Sequence, residues 1–269
     1  MEFDSVRRLL DRHWPSLDVH TVRPLGSGFD HLAYEVNTDL VVRVARSPDI
    51  SEMSGEAEIL AAVRAATTVP VPEPILVDAS AGLMVYRKLP GTPAAGLPEP
   101  SRVAATVVGA LRQLMRDIAA IPVGPVDDAP PSEWLDEARS EFADIRAEIP
   151  AAHQRAVELF LSQEPPPPYT GQPVFCHNDL GIEHVLVDPE TRTLTGVIDW
   201  TDAARTEPAH DLGRLFRDLG PQVGPVDDRA LFFARCGTLE DLHYGLTEGR
   251  DRYAINARAA FDHVFAAER

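Results

Sequence analysis

A chain of 269 residues with 44% hydrophobic and 25% charged side chains carries enough apolar material for one large domain or two lobes sharing a cleft. Its formal charge of −17 argues against a nucleic-acid partner, which needs a basic surface to neutralise phosphates; it is compatible with a cationic small molecule, though many acidic proteins bind none. No apolar run reaches the roughly 18 residues of a membrane span, so no membrane partner is expected. The acidic start Met1-Glu2-Phe3-Asp4-Ser5 lacks the apolar stretch of a signal peptide, and Cys176 and Cys236 make no disulfide framework. A cytoplasmic protein with reduced thiols is the expectation, with monomer and dimer both open.

Residues 5–13 have apolar positions at helical spacing and read as a short amphipathic helix. From Thr21 the pattern becomes strand, glycine turn, strand, turn at Asn37-Thr38-Asp39 and strand, the last supported by Val41, Val42 and Val44. A helix is expected over 54–66, with Ser54 as its N-cap, and a strand over 82–91 stopped by Pro90-Gly91. Beyond Gly91 the chain turns helical, over 101–121, 131–149 and a third segment broken by Pro165–Pro168. Two short β-rich segments, PVFCHND and HVLVD…LTGVIDW, interrupt the helices, which resume near Pro208. The order predicts an α+β, two-lobed fold, with a strand-rich lobe over 1–90 and a mainly helical lobe over 91–269.

The second lobe concentrates the chemistry. Asp179 follows an apolar strand and the polar pair His177-Asn178, His184 opens the run Val185-Leu186-Val187, and Asp199 closes Val197-Ile198. Antiparallel strands joined at Asp188-Pro189-Glu190 would bring His184 near Asp199, with Asp179 on the loop leading in. One base and two metal ligands at a loop mouth are the minimum apparatus for phosphoryl transfer, where catalysis is chiefly positioning and charge neutralisation. Spacing alone leaves an ordinary solvent-facing hairpin open. In the first lobe Gly26-Ser27-Gly28 reads as a glycine turn, suited to letting backbone amides approach phosphates or simply closing a hairpin. Arg43 lies on the next strand and Glu56 on the next helix, a phosphate-holding pair or a plain surface ion pair. Lys88 is the only lysine, so phosphate contacts elsewhere given to lysine fall to arginine.

These segments resemble the aminoglycoside and macrolide phosphotransferases, antibiotic kinases with a protein-kinase-like fold, over nearly the whole chain. The family pattern His-x-Asp-x-x-x-x-Asn/His reads here as His177 through His184, Ile-Asp-Phe/Trp as Ile198-Asp199-Trp200, and Asp-Pro-Ala-x-Asp-Leu as EPAHDL. The resemblance implies that Asp179 is catalytic, that His184 and Asp199 bind Mg2+, and that His177 and Asp211 brace the catalytic loop. It implies ATP or GTP as donor, held by Gly26, Ser27, Gly28, Arg43 and Glu56, with Met84 and Tyr86 beside the base. On this reading residues 1–90 form the nucleotide-binding lobe and 91–269 the catalytic and substrate-binding lobe. The chain departs from the family in placing Arg43 where a lysine is usual, and His31 near the site of a third glycine.

The acceptor is less legible. Residues 127–148 hold eight carboxylates against two arginines, and Glu133, Asp136 and Glu137 could meet a polycationic aminoglycoside, as could Asp202 and Glu207. A solvated acidic helix face explains the same run equally well. Against a purely aminoglycoside reading, IDWTDA is similar to the macrolide enzymes' Ile-Asp-Trp-Thr/Ser-Glu-Ala. The same fold also phosphorylates sugars, amino acids or choline-like alcohols, and a silent binding protein would be expected to have lost some of Asp179, His184 and Asp199.

Overall fold

Along residues 40–45 Leu40, Val42 and Val44 alternate with Val41 and Arg43, and this period of two sorts the side chains of the first half of the chain onto two faces. In the computed structural model, which describes residues 3–27, 31–47, 50–98, 103 and 105–266, the chain divides into two units, Met1–Pro90 and Gly91–Arg269. The first unit holds an antiparallel sheet of β1 (Val22–Ser27), β2 (His31–Val36), β3 (Leu40–Ala45), β4 (Pro74–Asp78) and β5 (Leu83–Arg87), in the order β1-β2-β3-β5-β4. One face carries Tyr34, Val36, Leu40, Val42, Val44, Leu83 and Val85, and receives Val6 and Leu10 of α1 (Phe3–His13). That helix forms because its apolar side chains fall on one stripe, with Asp4 in its first turn and Arg12 and His13 in its last, as the macrodipole favours. The other face carries Arg43, which pairs across the strands with Ala33 and Met84, and Val41, which pairs with Tyr86. Glu56 of α2 (Ile50–Ala66) meets Arg43 there. Ser54 is not the N-cap of α2: the helix starts at Ile50, because burying Met53 in the core (2% exposed) extends it a turn upstream.

The second unit is mainly helical. Its helices are α3 (Ala105–Ile118), α4 (Pro131–Ile145), α5 (Gln154–Leu161), α6 (Ala209–Leu219), α7 (Asp228–Thr247) and α8 (Asp251–Val264). The helix expected over 131–149 stops at Ile145 and tightens into a 3-10 turn to Glu148. Ile149 is extended because the following Pro150 disfavours the helical region for the residue before it. α7 is buried on several sides, from Phe232 and Phe233 to Leu239 and Leu242, so it is the central helix that α4, α5, α6 and α8 surround. Asp227 caps it by accepting a hydrogen bond from Ala230 N at 2.8 Å. Two small sheets complete the unit. β6 (Thr92–Pro93), β8 (Val185–Val187) and β9 (Leu194–Val197) form one, in the order β6-β8-β9; β7 (Val174–Cys176) pairs with β10 (Ala204–Thr206) in the other. Both cysteines are buried and free. No described helix is long and apolar enough to cross a membrane.

α6 and α7 approach closely through Gly213: a Cβ there would lie 2.6 Å from the Ala230 carbonyl oxygen and 3.1 Å from Ala234 N. Alanine at this position gains about 1 kcal/mol of helix propensity. The collision is with backbone, which cannot rotate away, and overpacking of this kind costs about 1–3 kcal/mol. Gly213→Ala should therefore lower Tm by about 2–4 °C for each net kcal/mol lost. An unchanged or higher Tm in a calorimetric scan would show that the helices have slack at this contact.

Candidate active site

β7 is an apolar strand whose Phe175 and Cys176 are buried, and it delivers the chain to His177. Asn178 then adopts a left-handed conformation (φ 66°), as asparagine does more readily than most residues. The turn is over-determined. The N–H groups of His177 and Asn178 both donate to the Asp211 carboxylate at 2.9 Å. The Asn178 side chain donates to Asp127 at 2.9 Å, and its oxygen lies 2.9 Å from His210 Nδ1. Further on, Ile182 N donates to Asp218 at 2.9 Å. β8 and β9 form the expected hairpin, and Asp188 closes it by accepting from Glu190 N, Thr191 N and the Thr191 hydroxyl. Past β9, Ile198 N donates to His184 O, and Asp199 takes a second left-handed turn (φ 62°).

This path gathers Asp179, His184 and Asp199. His184 Nδ1 lies 2.8 Å from the Asp179 carbonyl oxygen and 3.4 Å from its carboxylate Oδ2, while Nε2 lies 3.7 Å from Asp199 Oδ2. Arg214 Nη1 stands 3.1 Å from Asp179 Oδ1. Burial pushes Asp179 up, but Arg214, His184 and His177 outweigh it and hold the carboxyl at about 2. Burial likewise pushes His184 down, and Asp179, Glu183 and Asp199 reverse it to a raised value. His177 sits under the loop between His184 and Trp200, with ring centroids 5.9 and 4.5 Å away. Its Nε2 donates to Ile198 O at 3.0 Å and its Nδ1 accepts from Asp179 N at 3.3 Å, which fixes the tautomer. Burial, with the neighbouring His184, lowers it to about 4, so it stays neutral. Burial, then the Asp179 and Asp199 charges, push Asp202 up.

The donor set fits a divalent cation. With Nδ1–H donating to the Asp179 carbonyl, the Nε2 lone pair of His184 is left toward Asp199. Ligands of an octahedral Mg2+ stand about 2.9 Å (adjacent) or about 4.2 Å (opposite) apart, so the 3.7 Å pair would shift by about half an ångström or more to share the ion. Asp179, Glu183 and His184 also offer ligand atoms within 4.8 Å of one another. Carboxylates crowded round one imidazole draw positive charge, and a proton and a metal ion compete for the same lone pair.

A model of the phosphotransferase enzyme family (APH) matches residues 21–251. The chain belongs to that family. An aminoglycoside 3'-phosphotransferase of Streptomyces fradiae is 30% identical over 242 residues, which cover 81% of this chain and 87% of that relative. Among solved structures, the GDP and kanamycin complex of APH(2")-IIIa aligns with a TM-score of 0.70 at 22% identity, over 96% of this chain and 98% of its own. The macrolide 2'-phosphotransferase MphH from Brachybacterium faecium aligns at 0.57 and 23%, over 99% of each chain. The α+β plan, strand-rich first and helical second, is the kinase-like fold of these phosphotransferases.

Other residues expected of a phosphotransferase fall as follows. Arg43 and Glu56 form a buried ion pair on one face of the first unit's sheet. Met84 and Tyr86 share that face, with Met84 wholly buried. Gly26 and Ser27 end β1, and a Cβ on Gly26 would meet nothing within 4 Å; Gly28 lies outside the described residues. Glu133, Asp136 and Glu137 are exposed on α4, where Asp136 pairs with Arg139. Glu207 is buried, and Arg229 pairs with its Oε2. The sequence reading missed Arg214, Asp218 and Asp127. The spacing Asp211, Arg214, Asp218 puts three polar residues on one stripe of α6, and that pattern was available in the sequence.

Glu141 of α4, within the acidic run, is half-buried. Burial, with Glu240 and Glu137 beside it, raises it from the ordinary 4.5 to about 8. Between those values the folded protein keeps a proton that the unfolded chain releases, so this group withdraws stability as pH rises from about 4.5 to about 8. Glu141→Gln should leave Tm unchanged at pH 5 and raise it at pH 8.5; equal effects at both pH values in calorimetry would contradict the raised pKa.

Proposed function

We propose that this phosphotransferase moves the γ-phosphoryl group of ATP or GTP to a hydroxyl of an aminoglycoside or macrolide antibiotic. The observation that carries the reading is the ionised Asp179 carboxylate beside the His184–Asp199 pair. Asp179 orients the acceptor hydroxyl and takes its proton on a carboxylate oxygen as the hydroxyl oxygen attacks phosphorus in line with the departing nucleoside diphosphate. His184 and Asp199 would hold Mg2+, which supplies neutralising charge to the phosphate oxygens. Arg43, steadied by Glu56, grips donor phosphates, and a guanidinium can do this bidentately where a lysine would act as a point charge. The residues Gly26, Ser27, Gly28, Met84 and Tyr86 complete the donor contacts. His177 and Asp211 keep the loop in place. Asp202, with Glu133, Asp136 and Glu137, offers carboxylates to a cationic acceptor.

The relatives support both acceptor classes. A neighbour holding GDP and kanamycin favours an aminoglycoside and makes GTP a realistic donor. The segment Ile198-Asp199-Trp200-Thr201-Asp202-Ala203, with Trp200 fully buried under the loop, favours a macrolide. Transfer from labelled ATP and GTP, with magnesium, to a panel of aminoglycosides, macrolides and metabolite alcohols separates the cases. Asp179→Ala should cut turnover by about 10²–10⁴-fold with nucleotide affinity preserved. Arg43→Ala should chiefly weaken nucleotide binding. Retained turnover in the first variant, or unchanged nucleotide affinity in the second, would remove that residue from its assigned task; label appearing only on a metabolite alcohol would overturn the antibiotic assignment.

A further inference from the structure

Arg214 lies two residues past the EPAHDL stretch, on α6, and makes the shortest side-chain contact to the Asp179 carboxylate, 3.1 Å from Nη1 to Oδ1. The other carboxylate oxygen stands differently. Oδ2 is 3.4 Å from His184 Nδ1, whose proton is directed to the Asp179 carbonyl oxygen at 2.8 Å, so Oδ2 keeps its lone pairs. The guanidinium is itself fixed from the far side. Its Nη2 lies 3.8 Å from Glu240, its Cζ is 6.0 Å from the Trp134 ring, and its side chain is 14% exposed. Arg214 also stands one turn after Asp211, which holds the two N–H groups that precede Asp179, and one turn before Asp218, which holds Ile182 N. Three points of the 177–182 loop are thus tied to one stripe of a rigid helix, and the middle tie is to a carboxylate side chain rather than to backbone.

We propose that Arg214 is a positioning residue for phosphoryl transfer: it holds Oδ1 of Asp179 and so presents Oδ2 to the acceptor hydroxyl. This rests on the reading of Asp179 as the group that receives the acceptor's proton. In the transfer step that proton passes to Oδ2, the hydroxyl oxygen forms its bond to phosphorus, and the bond to the nucleoside diphosphate breaks. Arg214 keeps all its protons throughout, because a guanidinium does not deprotonate in this range. Arginine suits the task better than lysine: a planar fork fixes the direction of a carboxylate, while an ammonium supplies charge without that direction.

The experiment compares wild type, Arg214→Lys, Arg214→Met and Arg214→Ala with saturating magnesium-nucleotide, reading kcat, acceptor KM and nucleotide Kd. Positioning predicts that kcat falls about 10²-fold in Arg214→Met, with acceptor KM and nucleotide Kd moving by less than about threefold. Arg214→Lys should recover part of kcat, and added guanidinium ion should restore part of it to Arg214→Ala. An unchanged kcat would overturn the proposal. So would a loss that neither lysine nor guanidinium relieves and that comes with a matching loss of nucleotide binding, since that is the mark of a purely structural ion pair. If wild type labels none of the aminoglycosides or macrolides, the antibiotic assignment fails on its own account. The same variants then report on the slow transfer to water, where an equal drop supports positioning and an unaltered rate overturns it.

Discussion

The 177–182 loop depends on one carboxylate. Asp211 accepts two consecutive backbone N–H groups, from His177 and Asn178, at 2.9 Å each. His177 is fully buried, so its N–H could not turn to water instead, and an orphaned buried donor costs about 1–3 kcal/mol. The acceptor is buried too, and that burial raises Asp211 to about 6, with the two hydrogen bonds and Arg214 pulling against it. The chain therefore tolerates a left-handed Asn178, a conformation that costs on the order of 1–3 kcal/mol, only because Asp211, Asp127 and His210 all hold it.

From that anchor the other distances follow. A left-handed residue at 178 turns Asp179 out of strand β7, the hairpin returns His184 and Asp199 to its side, and the second left-handed turn at Asp199 aims another carboxylate at the same place. Hydrogen bonds from within the protein hold these groups in place, the kind of fixed arrangement on which catalysis by positioning depends. Negative charge exceeds positive around the loop, and the arginines of α6 offset part of it. Arg217 is 1% exposed and sits within 3.1 Å of both Asp218 and Asp241. Losing one partner of such a buried pair would leave an uncompensated charge, at about 3–5 kcal/mol. The excess that remains suits a metal ion and a cationic acceptor.

Much of this was legible in the sequence. His177, Asp179, His184 and Asp199 were found because an apolar run precedes or follows each, and strands announce their ends by such changes. The pairing of Arg43 with Glu56 was readable from a strand followed by a helix. Ser54 misled because a serine before good helix formers looks like a cap, while the burial of Met53, a tertiary effect, moved the true start upstream. Ile145 to Pro150 misled for a local reason, the influence of Pro150 on the residue before it. Arg214 and Asp218 stayed hidden because their partners lie more than thirty positions away, and a polar stripe on a helix reads as a solvent face until something is packed against it. Glu207 carries a charge legible in the sequence, while its partner Arg229 could be assigned only in three dimensions.

The claim that one face of α6 sets the loop is tested most directly by amide hydrogen exchange over 177–184 in wild type and Asp211→Asn. An asparagine amide can accept from one of the two N–H groups but meets the other with its own donors. Exchange at His177 and Asn178 should then quicken about tenfold or more while the α7 core stays protected. Protection at those two amides equal to wild type would mean that the loop holds its shape without α6, and the account would fail at its base.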